Sequence, residues 1–179
     1  MRILNFATPF LLMLLFACGG SKISQEMQQS MLAFETEWKA TGSDIAAWGN
    51  DMDTSFMAME QQMNTAMQLT SSSGNAAAAA AIDSLHSVCI SIGERMKMIR
   101  SSYDRTSTGF HQDDKAYLTW KKMLMDGEIS ETEAQPALND FNVKMKSYRD
   151  NMTGWMQLTD QLQERCDISC RQIELLSQQ

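Results

Sequence analysis

Apolar side chains recur at alternating spacings of three and four residues along almost the whole chain from Ile23 onward. This spacing places them on one stripe of an α-helix, and its persistence over many heptads is typical of a coiled-coil-like bundle. In the first run, the stripe comprises Met27, Met31, Phe34, Trp38, Ile45, Trp48, Met52, Phe56, Met59, Met63 and Met67. The pattern predicts a long helix over 24–71, ending at the Ser- and Gly-rich turn 71–75.

Two further runs of nearly the same length follow that turn. The second begins in the six alanines 76–81, the residue type with the highest helix propensity, and ends at Asp126-Gly127. The third begins after Ser130, which has an acidic residue three positions later as in a capping box. The two stripes comprise Leu85, Cys89, Ile92, Met96, Ile99, Tyr103, Phe110, Tyr117, Trp120 and Leu124, and then Leu138, Phe141, Met145, Tyr148, Met152, Trp155, Leu162, Cys166, Ile173 and Leu176. These stripes predict helices over 76–126 and 131–178.

Two polar stretches interrupt these runs. The segment 41–44 reads Thr-Gly-Ser-Asp, which resembles a helix stop followed by an N-cap, and 105–109 is similarly polar. The apolar spacing nevertheless keeps its phase across both stretches, which favours continuous helices. Three rods of about 48 residues, each about 70 Å long, then predict an all-α fold, an elongated antiparallel three-helix bundle over 24–179. The alternative is a four-helix up-down bundle in which the chain reverses at 106–109.

The first seventeen residues have a different character. Arg2 is followed by a mostly apolar run from Ile3 to Ala17, which stops at Cys18-Gly19-Gly20. A basic start, a short apolar stretch and a small residue before the break are typical of a secretory signal peptide. The run is too short to span a bilayer as a helix. We therefore expect 1–17 to be a signal peptide and the rest of the chain to be exported.

The sequence Leu15-Phe16-Ala17-Cys18 resembles the lipobox of bacterial lipoproteins, with Leu three residues before the cysteine and a small residue directly before it. The resemblance implies cleavage before Cys18 and lipidation of that cysteine, with fatty acids such as palmitate, so that 18–23 becomes a lipid-anchored linker. Gly19 after the cysteine implies sorting to the outer membrane, on its periplasmic or surface face. A plain secretory signal that happens to end at a cysteine is the alternative.

Charge and composition narrow the classes of function. The formal net charge is −7, from 15 basic and 22 acidic residues, and no Lys/Arg stripe offers a surface to nucleic acid. With two His and no Gly-rich phosphate loop, the chain shows no catalytic constellation, and we predict no enzyme. The predicted function is that of a membrane-anchored lipoprotein acting as a structural or interaction module in the cell envelope, with an envelope protein as partner.

Three cysteines remain in this exported chain once Cys18 is lipidated, and disulfides persist outside the cytosol. At about 1.5 Å per residue from the two turns, Cys89 and Cys166 lie at nearly the same height of three antiparallel rods. We therefore predict a Cys89–Cys166 disulfide, with Cys170, one turn away, as the alternative partner. A four-helix bundle would separate these residues, and three buried free thiols are the other alternative.

The same register brings further sulfur and imidazole side chains to this height. Thiolate, thioether and imidazole ligands suit Cu(I), although Met at helical spacing is also typical of core packing. The alternative function is therefore a periplasmic copper-binding or metal-buffering lipoprotein. Its candidate ligands are Met59, Met63, His86, Cys89, Cys166 and Cys170.

Overall fold

The computed structural model describes residues 23–71 and 75–178, which form three long helices. These are α1 (Gln25–Ala66), α2 (Ala76–Asp126) and α3 (Glu131–Ser177). Each helix packs against the other two, and the described residues contain no strand. The fold is thus the predicted all-α three-helix bundle, and the four-helix alternative is wrong because α2 passes through 106–109 without reversing. The predicted signal peptide 1–17 and Cys18 lie outside the described residues.

The first turns of α1 and α3 lie together at one end of the bundle. The Ser24 hydroxyl donates to Glu131 Oε2 at 2.8 Å, and the Ser24 backbone N–H donates to the same carboxylate. The chain therefore runs up, down and up, with α2 antiparallel to both neighbours. We call this the proximal end, and the end where α1 stops and α2 starts the distal end. At 1.5 Å per residue, the two ends are about 70 Å apart.

Side-chain caps define where the helices begin. Ser130 and Glu133 form a capping box at the start of α3, and the Ser130 hydroxyl accepts from the Glu133 backbone N–H. Asn75 caps α2 by accepting from two backbone N–H groups, and Ser24 caps α1 by accepting from the N–H of Met27. The end of α1 differs from the prediction, because the helix stops at Ala66 rather than near residue 71.

The polar stretch 41–44 is helical, and its composition has a packing explanation. Thr41 is fully buried; its hydroxyl donates to the Glu37 carbonyl and accepts from Arg149 Nε at 3.0 Å. A Cβ on Gly42 would lie 2.8 Å from the Phe110 ring, so only glycine lets α1 and α2 approach this closely. The residues that resemble a helix stop in the sequence are small because neighbouring helices need the space.

The core divides along the rod into two clusters of different chemistry. The proximal cluster, called the aromatic half, comprises Ile23, Met27, Met31, Phe34, Trp38, Ile45, Phe110, Tyr117, Trp120, Leu124, Ala134, Leu138, Phe141, Met145 and Met152. The distal cluster, called the sulfur-rich half, comprises Trp48, Met52, Phe56, Met59, Met63, Ala66, Ile82, Cys89, Ile92, Met96, Ile99, Leu162, Cys166, Cys170 and Ile173. Ile23, which the sequence analysis assigns to the linker, is only 6% exposed and belongs to the core.

One helix of the described residues, α2, is long and apolar enough to cross a membrane by length and composition. Its most apolar 18-residue window has a mean hydropathy of 1.4, and 22% of that window is buried inside the bundle. A single helix of this kind is weak evidence for a membrane span, since core helices of other proteins meet the same criterion. In this fold, Ile82, Cys89 and Ile92 of α2 pack in the sulfur-rich half.

Candidate functional site

The three cysteines of the described chain meet in the sulfur-rich half. Cys89 on α2 and Cys166 and Cys170 on α3 are all buried. The sulfurs of Cys166 and Cys170 are 3.9 Å apart, one helical turn along α3, and the Cys89 and Cys170 thiols are close enough for each to affect the pKa of the other. The structure thus brings together Cys89 and Cys166, which the sequence analysis predicts to lie at nearly the same height along the bundle.

All three cysteines are free thiols in this structure, so the predicted Cys89–Cys166 bridge is not formed there. The neighbouring Cys170 thiol, which is the alternative partner of the sequence analysis, contributes to the raised pKa of Cys89. Cys166 instead donates weakly to the Met59 carbonyl at 3.9 Å and to Gln62 Oε1 at 3.7 Å. A disulfide remains a prediction, between Cys89 and either Cys166 or Cys170.

Burial keeps these thiols protonated. Loss of solvation, together with the neighbouring Cys170 thiol, raises the pKa of Cys89 to about 11. Loss of solvation and the neighbouring Cys166 thiol likewise raise the pKa of Cys170 to about 12. Burial also raises the pKa of Cys166. The thiolate is the nucleophilic and metal-binding form, so the three side chains are poor nucleophiles at neutral pH.

The candidate copper ligands are only partly assembled. Met59 and Met63 are buried in the same cluster as the cysteines, whereas the ring Nε2 of His86 lies 3.2 Å from the Ala66 carbonyl oxygen at the end of α1. Within residues 23–71 and 75–178, no group of three or more His, Cys, Asp or Glu side chains is arranged to hold a metal ion. The sulfur atoms therefore share a core, but the imidazole is held by the backbone.

A second polar arrangement, which the sequence analysis missed, joins the helices around the aromatic half. Glu35 accepts from Tyr117 Oη at 3.0 Å and pairs with Lys121, so α1 and α2 are linked. Burial alone would raise the pKa of Glu35, but the hydrogen bonds from Lys121 and Tyr117 and the positive charge of Lys121 outweigh it and lower that pKa. Burial and the adjacent carboxylate raise the pKa of Tyr117.

Two neighbouring aspartates of α2 also link this helix to the other two. Asp113 accepts from Tyr148 Oη at 2.6 Å and pairs with Lys144, both on α3. Asp114 accepts from the Trp38 indole N–H at 2.8 Å, which links α2 to α1. The sequence analysis assigns no role to these two aspartates. One feature of the sequence could have indicated these contacts. The acidic residues lie beside the apolar stripe, at the same height along the bundle as Tyr and Trp residues of the other helices.

Comparisons with protein-family models, with curated proteins and with solved structures find no match to this chain. Function is therefore inferred from the chain's own residues and their geometry.

Proposed function

We propose that this protein is a lipid-anchored helical rod of the bacterial outer membrane that acts as a structural or interaction module and contacts another envelope protein. The lipobox-like sequence Leu15-Phe16-Ala17-Cys18 carries the proposal, because it is the one motif of the chain with a defined chemical consequence. Several acyl chains on Cys18 would anchor the rod stably, whereas one chain alone binds a membrane only marginally.

The arrangement of the proximal end supports an anchored rod. Cys18 precedes Ser24 by six residues, which span roughly 20 Å at most when fully extended. Ser24 lies against Glu131, so the turn between α2 and α3 would lie next to the membrane. The distal end, about 70 Å away, would be the part that reaches a partner.

The chemistry of the described residues supports a module without catalysis. The candidate nucleophiles Cys89, Cys166 and Cys170 are buried and have raised pKa values, and His86 lies against a backbone carbonyl. The charged side chains Glu35, Asp113 and Asp114 are used to join helices. These roles stabilise a rod and leave its outer surface for interaction.

Metabolic labelling with an alkyne analogue of palmitate tests the anchor. We expect the full chain to incorporate the label and to fractionate with the outer membrane, and we expect its N-terminal peptide to begin at acylated Cys18. Cys18→Ala should abolish the label, whereas Cys89→Ala, the matched cysteine control, should retain it. Equal labelling of wild type and Cys18→Ala, or a mature N-terminus elsewhere, would show that the lipobox assignment is wrong.

Copper binding is the second candidate function, favoured by the shared burial of three thiols and two thioethers. Metal analysis of anaerobically purified protein, combined with thiol titration, tests it. Binding of Cu(I) would support this function if Met59→Leu weakens it and Met57→Leu, at an exposed position, leaves it unchanged. Metal-free protein that does not take up Cu(I) would remove this candidate.

A further inference from the structure

A groove between α2 and α3 combines apolar and positively charged side chains. It has a volume of about 350 Å³ and is lined mainly by apolar side chains, together with Arg95 from α2 and Arg165 from α3. No carboxylate lines it, although the chain has 22 acidic and 15 basic residues. Two cations without an anion in the same groove indicate a place for a negatively charged group.

Neither arginine is neutralised by the protein. Both side chains are exposed, and the ion pairs found among the described residues are made by Arg100, Lys121, Lys144 and Arg149. A guanidinium group binds carboxylate or phosphate oxygens through two parallel hydrogen bonds, which makes arginine the preferred residue for such anions.

The apolar part of the groove is exposed to solvent. Met98 is 63% exposed and Leu158 is 44% exposed, so covering them with an alkyl chain would remove apolar surface from water. Trp155 forms another part of the lining, and its ring stacks on Trp48 of the core with centroids 5.4 Å apart. The lining therefore combines the Trp155 ring, which is held in place by the core, with the flexible Met98 thioether, which adapts to the shape of a ligand.

We infer that this groove binds a free single-chain amphiphile, with its carboxylate or phosphate head between Arg95 and Arg165 and its alkyl chain along Met98 and Leu158. The volume lies at the lower end of the range for small-molecule sites, which fits one chain rather than a two-chain phospholipid. The groove also lies about 35–50 Å along α3 from the proximal end, at 1.5 Å per residue. The inference goes beyond the proposed function and does not require the anchor.

Photoaffinity labelling of the purified full chain tests the site. The probe is dodecanoate carrying a diazirine and an alkyne, used below its micelle concentration, and labelled peptides are mapped by mass spectrometry. We expect labels on the α3 segment that contains Trp155 and Leu158. Unlabelled dodecanoate should compete, hexanoate should compete more than tenfold more weakly because about six methylene groups are lost, and dodecyltrimethylammonium should not compete.

Matched arginine variants test the head-group contact. Arg95→Gln and Arg165→Gln should each raise the half-saturating probe concentration about tenfold, the usual loss for one charge-assisted contact. Arg171→Gln, at an exposed position on α3 beside Glu164 and Asp167, should leave it unchanged. Circular dichroism and the thermal midpoint of each variant show whether the bundle is intact.

Four results would overturn the inference. Labelling outside the groove, or equal labelling of the Arg95→Gln, Arg165→Gln and Arg171→Gln proteins, would exclude these arginines as the head-group site. Equal competition by the cationic amphiphile would exclude an anionic ligand. Competition by phosphatidylglycerol vesicles as effective as that by free dodecanoate would exclude a free single-chain ligand as the occupant.

Discussion

The hydroxyl of Tyr103 on α2 occupies the position where a side chain on Gly49 of α1 would lie. A Cβ on Gly49 would overlap with Oη and Cζ of Tyr103. The Tyr103 ring packs edge-on against Trp48 at a centroid distance of 5.3 Å and contacts both core clusters. This contact is therefore the junction between the aromatic half and the sulfur-rich half of the rod.

Gly49→Ala should destabilise the bundle although alanine is the better helix former. The new methyl group forces the Tyr103 ring away from Trp48, and overpacking of this kind costs about 1–3 kcal/mol. Gly154→Ala is the matched control, since no atom lies within 4 Å of its Cβ position, and it should stabilise by up to about 1 kcal/mol. Urea unfolding followed by circular dichroism measures both, and a stabilising Gly49→Ala would contradict the close contact.

Thr41→Val should lower the free energy of unfolding by about 1 kcal/mol, since the buried hydroxyl that accepts from Arg149 is lost. The control is Thr36→Val, because the Thr36 hydroxyl also donates to the carbonyl four residues earlier but is exposed and has no partner on α3. Urea unfolding should show a change within about 0.5 kcal/mol for this control. Equal effects of the two substitutions would mean that the Arg149 contact contributes nothing.

Glu35→Gln should destabilise the protein at pH 7, and the difference from wild type should shrink as the pH falls. The folded state lowers the pKa of Glu35 below its ordinary value of 4.5, so this carboxylate stabilises the fold above that value. The contribution is lost as the pH falls through the lowered pKa and the carboxyl becomes protonated. Denaturant unfolding at pH 7 and pH 3 measures the difference, with the exposed Glu94→Gln as control; a pH-independent difference would contradict this origin.

A non-reducing peptide map of the exported protein should show a disulfide between α2 and α3, linking Cys89 to Cys170 or Cys166. Either bridge closes a loop of about 80 residues, and its reduction should lower the free energy of unfolding by about 4 kcal/mol in the chain-entropy model. Three titratable thiols in protein from an oxidising compartment would contradict the disulfide. They would leave three small buried side chains whose role is packing.

The path of the chain and the register of its cysteines could be predicted from sequence because the apolar spacing keeps one phase through each rod. That phase outweighs local signals at Thr41 and Gly42, which alone favour a helix end. The reason for those residues could not be predicted, since it lies in the approach of Phe110 and Arg149 from the other rods. The end of α1 at Ala66 was also missed, because the apolar spacing continues to Met67 beyond the last helical turn.

The polar links were missed for a similar reason. Glu35, Asp113 and Asp114 lie beside the apolar stripe, where a carboxylate is ordinarily solvated. Their partners Tyr117, Tyr148 and Trp38 are each on a different helix from the carboxylate. Sequence spacing gives the height of a residue along a rod, but the rotation of each rod about its axis decides whether a carboxylate meets a hydroxyl or water.

The proposed lipid anchor on Cys18 requires that the rod stands with the α2–α3 turn at the membrane. Fluorophores on Glu128→Cys, at the proximal end, and on Gln68→Cys, at the distal end, report this in lipidated full chain reconstituted into vesicles that contain quencher-labelled lipid. We predict strong quenching of the residue 128 label and little quenching of the residue 68 label, with Cys18→Ala protein unquenched at both. Equal quenching at the two ends, or stronger quenching at residue 68, would contradict an anchored upright rod.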